Sequence, residues 1–336
     1  MKIQTSWIGG IGLSLMLLLN TGCNQAPTPP TANATPKVQV KPLTSATINW
    51  GGHAGHYVAA KKGLFATAGV KVEDLFFPSS SEMSKAFLAG DVDIAWLTTA
   101  DAVQMSEKDP TIQIIYLPDY SNGADGIIGR GIKSPKDLKG KTIAVEDILY
   151  EKVFLQGYLK KAGLKESDVK IRYMVAADAA AAFASKQVDV AVTYDPYLAT
   201  AVKKGGGAVL LSTRDTNFVA DAVVVRKKLI ETRKPELQAY LRAIDQATKL
   251  VNSEDPEALK IAAEKMGVSV AEAKIQLKGV RLFDVDGNKK IGFNESNPNS
   301  IMGNLRLTIG VASDLKLISK PIDIKSLYDT SIVDSL

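Results

Sequence analysis

The chain has 336 residues, 46% of them hydrophobic and 23% charged, and it carries a net charge of +5. Its 41 Lys and Arg are scattered among 36 Asp and Glu without a sustained basic stripe, which describes solvated faces and excludes a nucleic-acid-binding surface. One cysteine, Cys23, excludes disulfides, a thiolate metal cluster and a cysteine nucleophile from everything that follows it.

Lys2 and the apolar run from Ile8 to Leu19 have the make-up of a signal peptide, too short to cross a bilayer. The run ends at Leu19-Asn20-Thr21-Gly22-Cys23, which resembles a bacterial lipobox, with Asn20 where leucine is usual. Residues 1–22 are therefore expected to be a lipoprotein signal peptide and Cys23 a lipidated N-terminus. That places the protein outside the cytoplasm, in the periplasm or on the outer face of the cytoplasmic membrane. Residues 23–44, rich in Pro, Thr, Ala and Asn, read as a disordered tether. The remaining stretch of about 290 residues is long for one core and natural for two, and no later segment is apolar enough to span a membrane.

Thr47 to Trp50 reads as a strand, followed by a helix from His56 to Lys62 that Gly63 ends. Val70 to Phe77 is the next strand. Ser79 to Glu82 has capping-box spacing before a helix over Met83 to Ala89, and Asp93 to Leu97 and Ile112 to Leu117 are further strands. Asp119 to Gly131, with four glycines, shows few features of a regular element and is taken as a first crossing.

The order then repeats: strand Thr142 to Val145, helix Tyr150 to Lys161, strand Val169 to Val175, helix Ala177 to Ser185, strand Val188 to Thr193. Phe87 and Val92-Asp93-Ile94-Ala95 reappear as Phe183 and Val188-Asp189-Val190-Ala191, shifted by 96 residues. A helix from Pro196 to Lys204 and a strand from Ala208 to Leu211 precede a second crossing near Phe218 to Val225, and Pro235 to Val251, Pro256 to Lys265 and Val270 to Lys278 are helices. The expected architecture is two α/β lobes, one from residues 45–123 and 222–336 and the other from 124–221, joined by a two-strand hinge. A cleft between lobes is where small solutes are usually held.

The run from Trp50-Gly51-Gly52-His53 to Lys62-Gly63-Leu64-Phe65, with Val70-Lys71-Val72-Glu73 after it, resembles the opening of the nitrate/sulfonate/taurine (SsuA/TauA-like) substrate-binding proteins of ABC importers. Gly90-Asp91-Val92-Asp93-Ile94-Ala95, Asp119 to Asp125, Ser134 to Lys141 and Tyr194-Asp195-Pro196-Tyr197 extend the resemblance. It implies the type II periplasmic-binding-protein fold and a partner permease dimer with ATPase subunits. Relatives with similar patterns bind nitrate, bicarbonate, sulfonates, taurine or pyrimidine precursors of thiamine.

Ligands of open α/β sheets sit beyond the carboxyl ends of the strands. In the first lobe that rule selects Trp50, His53 and Tyr57, then Ser79, Ser80 and Ser81, then Thr98, Thr99 and Asp101. In the second it selects Glu146, Asp147, Tyr150 and Glu151, then Thr193, Tyr194, Asp195 and Tyr197. The crossings add Ser121, Asn122, Asp125, Phe218 and Asp221. Aromatics supply apolar area, hydroxyls and helix N-terminal amides suit oxyanions, and carboxylates suit an amine or ring nitrogen. Each has a plain alternative: Ser79 as a cap, Asp195 as a helix start, Trp50 as core, and Asp93 and Asp189 as repeated structural acids.

Glu146, Asp147 and Glu151 cluster where several relatives carry hydroxyls, which disfavours a simple anion such as nitrate and favours a zwitterion or cation. His53 and His56 lack an evident third ligand, so zinc is set aside. Asp284, Asp286, Asn288 and Glu295 match part of a calcium-loop template, but Lys289 stands where glycine is required, and a polar loop is expected. Gly205-Gly206-Gly207 lacks the following Lys-Ser/Thr of a P-loop, so the ATPase is another subunit. The resulting expectation is a monomeric receptor without cofactor or metal, anchored to the membrane only by lipid. It would take an aliphatic sulfonate or taurine-like solute, or alternatively a thiamine-precursor-like pyrimidine amine, nitrate or bicarbonate. A biosynthetic enzyme on the same fold is the rival class, poorly supplied with nucleophiles and bases. A receptor that hands its solute to a signalling sensor is a third.

Overall fold

The structure, a computed structural model, describes residues 41–215 and 218–336. The expected signal peptide, the lipidation at Cys23 and the tether up to residue 40 lie outside the described residues.

The first lobe is laid down as Leu43–Thr47 (β1), Ala54–Lys61 (α1), Leu64–Thr67 (α2), Val72–Phe76 (β2), Ser80–Ala89 (α3), Ile94–Thr98 (β3), Thr99–Ser106 (α4) and Ile112–Tyr116 (β4). Gly63, at φ 68°, makes the left-handed turn between α1 and α2 that a side chain would resist. Ser79 accepts a hydrogen bond from the Glu82 amide at 3.2 Å, so the cap inferred from sequence starts α3.

Asp119–Ser121 (β5) and Asp125–Gly129 (β6) lead into the second lobe: Thr142–Val145 (β7), Leu149–Lys161 (α5), Lys170–Tyr173 (β8), Ala176–Ala184 (α6), Val190–Tyr194 (β9), Tyr197–Gly205 (α7) and Ala208–Ser212 (β10). The expectation of irregular chain over 119–131 was wrong. β6 is a central strand between β9 and β10, and a Cβ at its Gly126 would stand 2.8 Å from the Leu198 side chain and 3.0 Å from the Leu211 carbonyl. Its glycines serve close packing, which in a sequence looks the same as a turn.

The chain returns as Asp221–Arg226 (β11), followed by Lys227–Asn252 (α8), Pro256–Met266 (α9), Val270–Leu277 (α10), Val280–Leu282 (β12), Val285–Gly287 (α11) and Ile301–Asp314 (α12). α8 bends at Arg233, where φ is −134°, because Pro235 has no N–H to give and disfavours helical backbone just before it.

Five strands in the order β2-β1-β3-β11-β4 form one sheet, and five in the order β10-β6-β9-β7-β8 form the other. β11 runs antiparallel to both neighbours, so a strand laid down after the second sheet completes the first. The crossings lie side by side: Ser121 N–H donates to Val219 O at 3.0 Å, and the Ser121 and Thr213 hydroxyls are 2.7 Å apart. β5 pairs with β12 beside them.

The repeat is visible in three dimensions. Asp93 Oδ2 accepts from the Thr44 amide at 3.0 Å, and Asp189 Oδ2 accepts from the Thr142 amide at 2.9 Å, each acid pinning a parallel strand of its own sheet. Arg226 lies 4.4 Å over the Phe87 ring and Arg130 4.4 Å over the Phe183 ring. The calcium-template stretch is also not the polar loop expected. It is a helical turn, α11, capped by Asp284, running into a π-helical turn from Asn288 to Gly292. Asn288 is buried and braces Leu117 through its backbone N–H and C=O. Among the described residues no cluster of His, Cys, Asp or Glu could hold a metal ion.

Candidate functional site

A cavity of about 20 Å³, room for about one water, lies where the strand ends of the two sheets face each other. Its wall takes Ile48, Trp50, His53, Ser80, Trp96, Leu97 and Thr98 from the first lobe, Asp125, Tyr150 and Tyr194 from the second, and Val219 and Asp221 from the return crossing. Most of these side chains follow or end parallel strands, whose carboxyl ends share one edge, and Asp125 and Asp221 reach the same edge by opening β6 and β11, which run antiparallel.

Trp50 follows β1 and spans the gap. Its ring meets Tyr194 edge to face with centroids 5.6 Å apart, and its Nε1 donates to Asp119 Oδ2 at 3.3 Å. His53 Nδ1 accepts from the Ile48 amide at 3.4 Å, which leaves Nε2 to donate to Asp221 Oδ2 at 3.0 Å. Burial lowers the pKa of His53 to about 3, partly opposed by the Ile48 contact, so the imidazole is a neutral donor at physiological pH.

Around the cavity stands a group of buried acids. Burial pushes Asp101 up to about 7, assisted by the Glu146 charge and opposed by Thr98. Burial likewise raises Asp125 to about 7, opposed by the nearby Ser121 and Tyr150 hydroxyls and assisted by the Asp195 charge. Asp119, Asp221 and Glu151 are driven well above the usual carboxylate range, first by burial and then by one another's charges and those of Asp125, Asp101 and Glu146. Both oxygens of Asp101, Oδ1 of Asp119 and Oδ2 of Asp125 have no hydrogen-bond partner in the structure. No Lys or Arg lines the cavity. The arrangement is an aromatic box with acidic walls, complementary to positive charge.

Several sequence candidates stand elsewhere. Tyr57 is buried behind the wall, its hydroxyl accepting from the Trp50 amide at 3.1 Å, and it braces the β1–α1 turn. Ser79 caps α3, and Ser81 touches the second lobe through its backbone N–H. Thr99 is turned away and donates to Asn304 Oδ1 at 2.5 Å. Asn122 is exposed. Asp195 holds the start of α7, accepting from the Ala199 amide at 3.0 Å. Of the acid cluster, Asp147 is exposed and paired with Lys152, whereas Glu146 and Glu151 are buried just behind the wall. His56 is a structural residue, 3.0 Å from the Tyr240 hydroxyl and 3.0 Å from Asp74.

Sequence reasoning passed over Ile48, Trp96, Leu97, Val219 and Asp119. Trp96 and Leu97 lie within β3 itself, so a rule that looks only past strand ends omits them. Asp119 lay in a segment read as irregular; its place just after an apolar strand was the available signal.

The two sheets, the paired crossings and the cavity at their facing edges define the type II periplasmic-binding-protein fold. It is the fold of the periplasmic aliphatic sulphonate binding protein SsuA from Escherichia coli, with a TM-score of 0.68 at 20% identity over 87% of this chain and 93% of that one. The NMT1-like family model matches residues 36–267, and the chain belongs to that family. It is 26% identical over 203 residues to a protein of Escherichia coli (strain K12) named for binding aliphatic sulfonates. That match covers 59% of this chain and 63% of the relative's length. It is 28% identical over 233 residues to the taurine-binding periplasmic protein of the same organism, covering 66% of this chain and 72% of that protein.

Proposed function

We propose that this protein is the extracytoplasmic receptor of an ABC import system, capturing a small amine-bearing solute between its lobes and delivering it to a permease dimer driven by ATPase subunits. The observation that carries the ligand class is the cavity wall: Asp125 and Asp221 face it, with Asp101 and Asp119 close behind, and no cation lines it. A protonated amine or ring nitrogen satisfies those carboxylates, while Trp50, Tyr150 and Tyr194 pack on an apolar or aromatic body. A pyrimidine amine fits this wall better than a sulfonate does. A taurine-like zwitterion is the second reading, its amine on the acids and its sulfonate on Ser80 and Thr98, which also line the cavity.

Family membership and kinship to binding proteins support the receptor role. So does the chemistry: the cavity histidine is neutral and held at both ring nitrogens, a poor general base. The receptor works as a monomer, without cofactor, tethered through lipid at Cys23. Contact with both lobes gives the solute a differential affinity for the closed form that a permease would recognise.

A thermal-shift screen with aminomethylpyrimidines, primary amines, taurine, ethanesulfonate, nitrate and bicarbonate tests the ligand class, since a native-state ligand raises the melting temperature. Amines should shift the transition, with domain closure visible by small-angle scattering. A response confined to nitrate, bicarbonate or ethanesulfonate would overturn the proposal.

A further inference from the structure

Glu146 follows β7 and is buried, 1% exposed, yet it stands outside the cavity wall. One carboxylate oxygen accepts from the Ser81 amide at 3.0 Å, and the other accepts from the Ala176 amide at 3.1 Å. Ser81 is in the first turn of α3 and Ala176 opens α6, helices of 10 and 9 residues on opposite lobes. The first amides of a helix have no partner within it and carry the positive end of its dipole, which makes them the natural seat of an oxyanion. Here two such seats face each other across the lobe boundary, and one side chain of the protein fills both.

We propose that Glu146 is the specificity-determining residue of the cleft, an internal carboxylate occupying the place where a sulfonate, sulfate or nitrate group would otherwise join the two helix N-termini. The site is held for this purpose. The Glu146 backbone N–H donates to Glu151 Oε2 at 2.7 Å, and Tyr150 donates to Glu151 Oε1 at 3.3 Å, so the turn carrying Glu146 is fixed from behind. An incoming oxyanion finds the amides taken and a carboxylate in their place. It would also face Asp125, which lines the cavity with an oxygen that has no hydrogen-bond partner. A cation meets neither obstacle. The same two hydrogen bonds tie α3 to α6, so Glu146 supplies from within a lobe-to-lobe link that an anionic solute would have to supply from outside. Exclusion of anions is thereby built into closure.

This inference rests on the reading of the cleft as the solute site, and its test separates the two. The purified full chain and its Glu146→Ala variant are titrated calorimetrically with ethanesulfonate and nitrate as anionic probes and with an aminomethylpyrimidine as the cationic one. The unmodified protein should show no anion binding at millimolar concentration. Glu146→Ala should gain ethanesulfonate affinity by at least tenfold, with domain closure by scattering on its addition. A folded Glu146→Ala that gains nothing, or an unmodified protein that binds ethanesulfonate as tightly as the variant, overturns the role of Glu146. If the unmodified protein binds neither amine nor anion but Glu146→Ala gains ethanesulfonate, the cation reading fails and the inference stands. Glu146→Gln, nearly isosteric, covers the case in which Ala does not fold. It should gain less anion affinity than Ala but more than the unmodified chain, and equality with the unmodified chain counts against the proposal.

Discussion

The charge of the solute has a signature in pH. Asp125 lines the cavity with a pKa raised to about 7, whereas His53 is lowered to about 3 and stays neutral above mildly acidic pH. A carboxyl of pKa about 7 is roughly one-tenth ionised at about pH 6 and nine-tenths ionised at about pH 8. If the solute's positive charge must meet an ionised Asp125, affinity rises roughly tenfold across that interval, about 1.4 kcal/mol. Asp101, also at about 7, adds up to another tenfold if it must ionise too. The assay is calorimetry with a primary amine that stays charged throughout, at three pH values and in two buffers of different ionisation enthalpy. Near neutrality, binding should release roughly half a proton for each acid involved. Asp125→Asn should flatten the profile. An affinity that is constant or falls with rising pH would refute the reasoning, because an oxyanion repelled by the same acids shows the opposite slope.

Other consequences are direct. Phe87 and Phe183 are both fully buried beneath an arginine, so Phe87→Ala and Phe183→Ala should each cost about 3–5 kcal/mol in urea denaturation; a cost below about 1 kcal/mol for either would mean the repeat is not carrying its lobe. Asp189→Ala removes the acceptor for the Thr142 amide and should cost about 1–3 kcal/mol, measured in the same way. Trp50→Ala deletes the ring that meets Tyr194 and should weaken solute binding by about 1–3 kcal/mol, beside a stability cost of about 3–5 kcal/mol in urea denaturation because the ring is buried. Without solute, stability should fall between about pH 6.5 and 8. Asp101 and Asp125 have folded pKa values raised from 3.8 to about 7, so their contribution is fully present below about pH 4 and is lost as pH rises through about 7. His53 acts in the opposite sense, but its change is nearly complete by its unfolded value of 6.5, leaving a net loss of about 1 kcal/mol per acid. Chemical denaturation at a series of pH values measures this.

Much of the fold was legible because local chemistry and tertiary role coincide. The continuous apolar runs that mark β3 and β9, the Ser79 cap and the repeated Phe, Asp and apolar positions each point to the same place in the chain and in space. β6 was not legible, since Gly126 and Gly129 mean close packing against Leu198 and Leu210, and sequence cannot tell that from a turn. In the site, residues beyond strand ends were found, but their orientation was not. Thr98 and Thr99 are adjacent, yet one faces the cavity and the other bonds to Asn304, because a helix start turns successive side chains about 100° apart. Glu146, Asp147 and Glu151 separate likewise into two buried acids and one paired at the surface.

The same acids explain how a solute would drive closure. The lobes meet through the Ser81–Glu146 hydrogen bond, the Trp50–Tyr194 ring contact and the packing of α5 against α4 and α12, all of which favour the closed form. Against them, bringing the lobes together buries Asp125 from one side beside Asp101 and Asp221 from the other, and the charges of Asp125 and Asp101 raise Asp221. Each unit of pKa elevation is about 1.4 kcal/mol charged against the ionised closed form, so ionising these acids opposes closure. A cation enters that balance on one side only: it removes the repulsion among the acids and leaves the hydrogen bond and ring contact intact. That differential is what a ligand must supply to shift a population, and an anion of the same size and shape would supply it with the wrong sign.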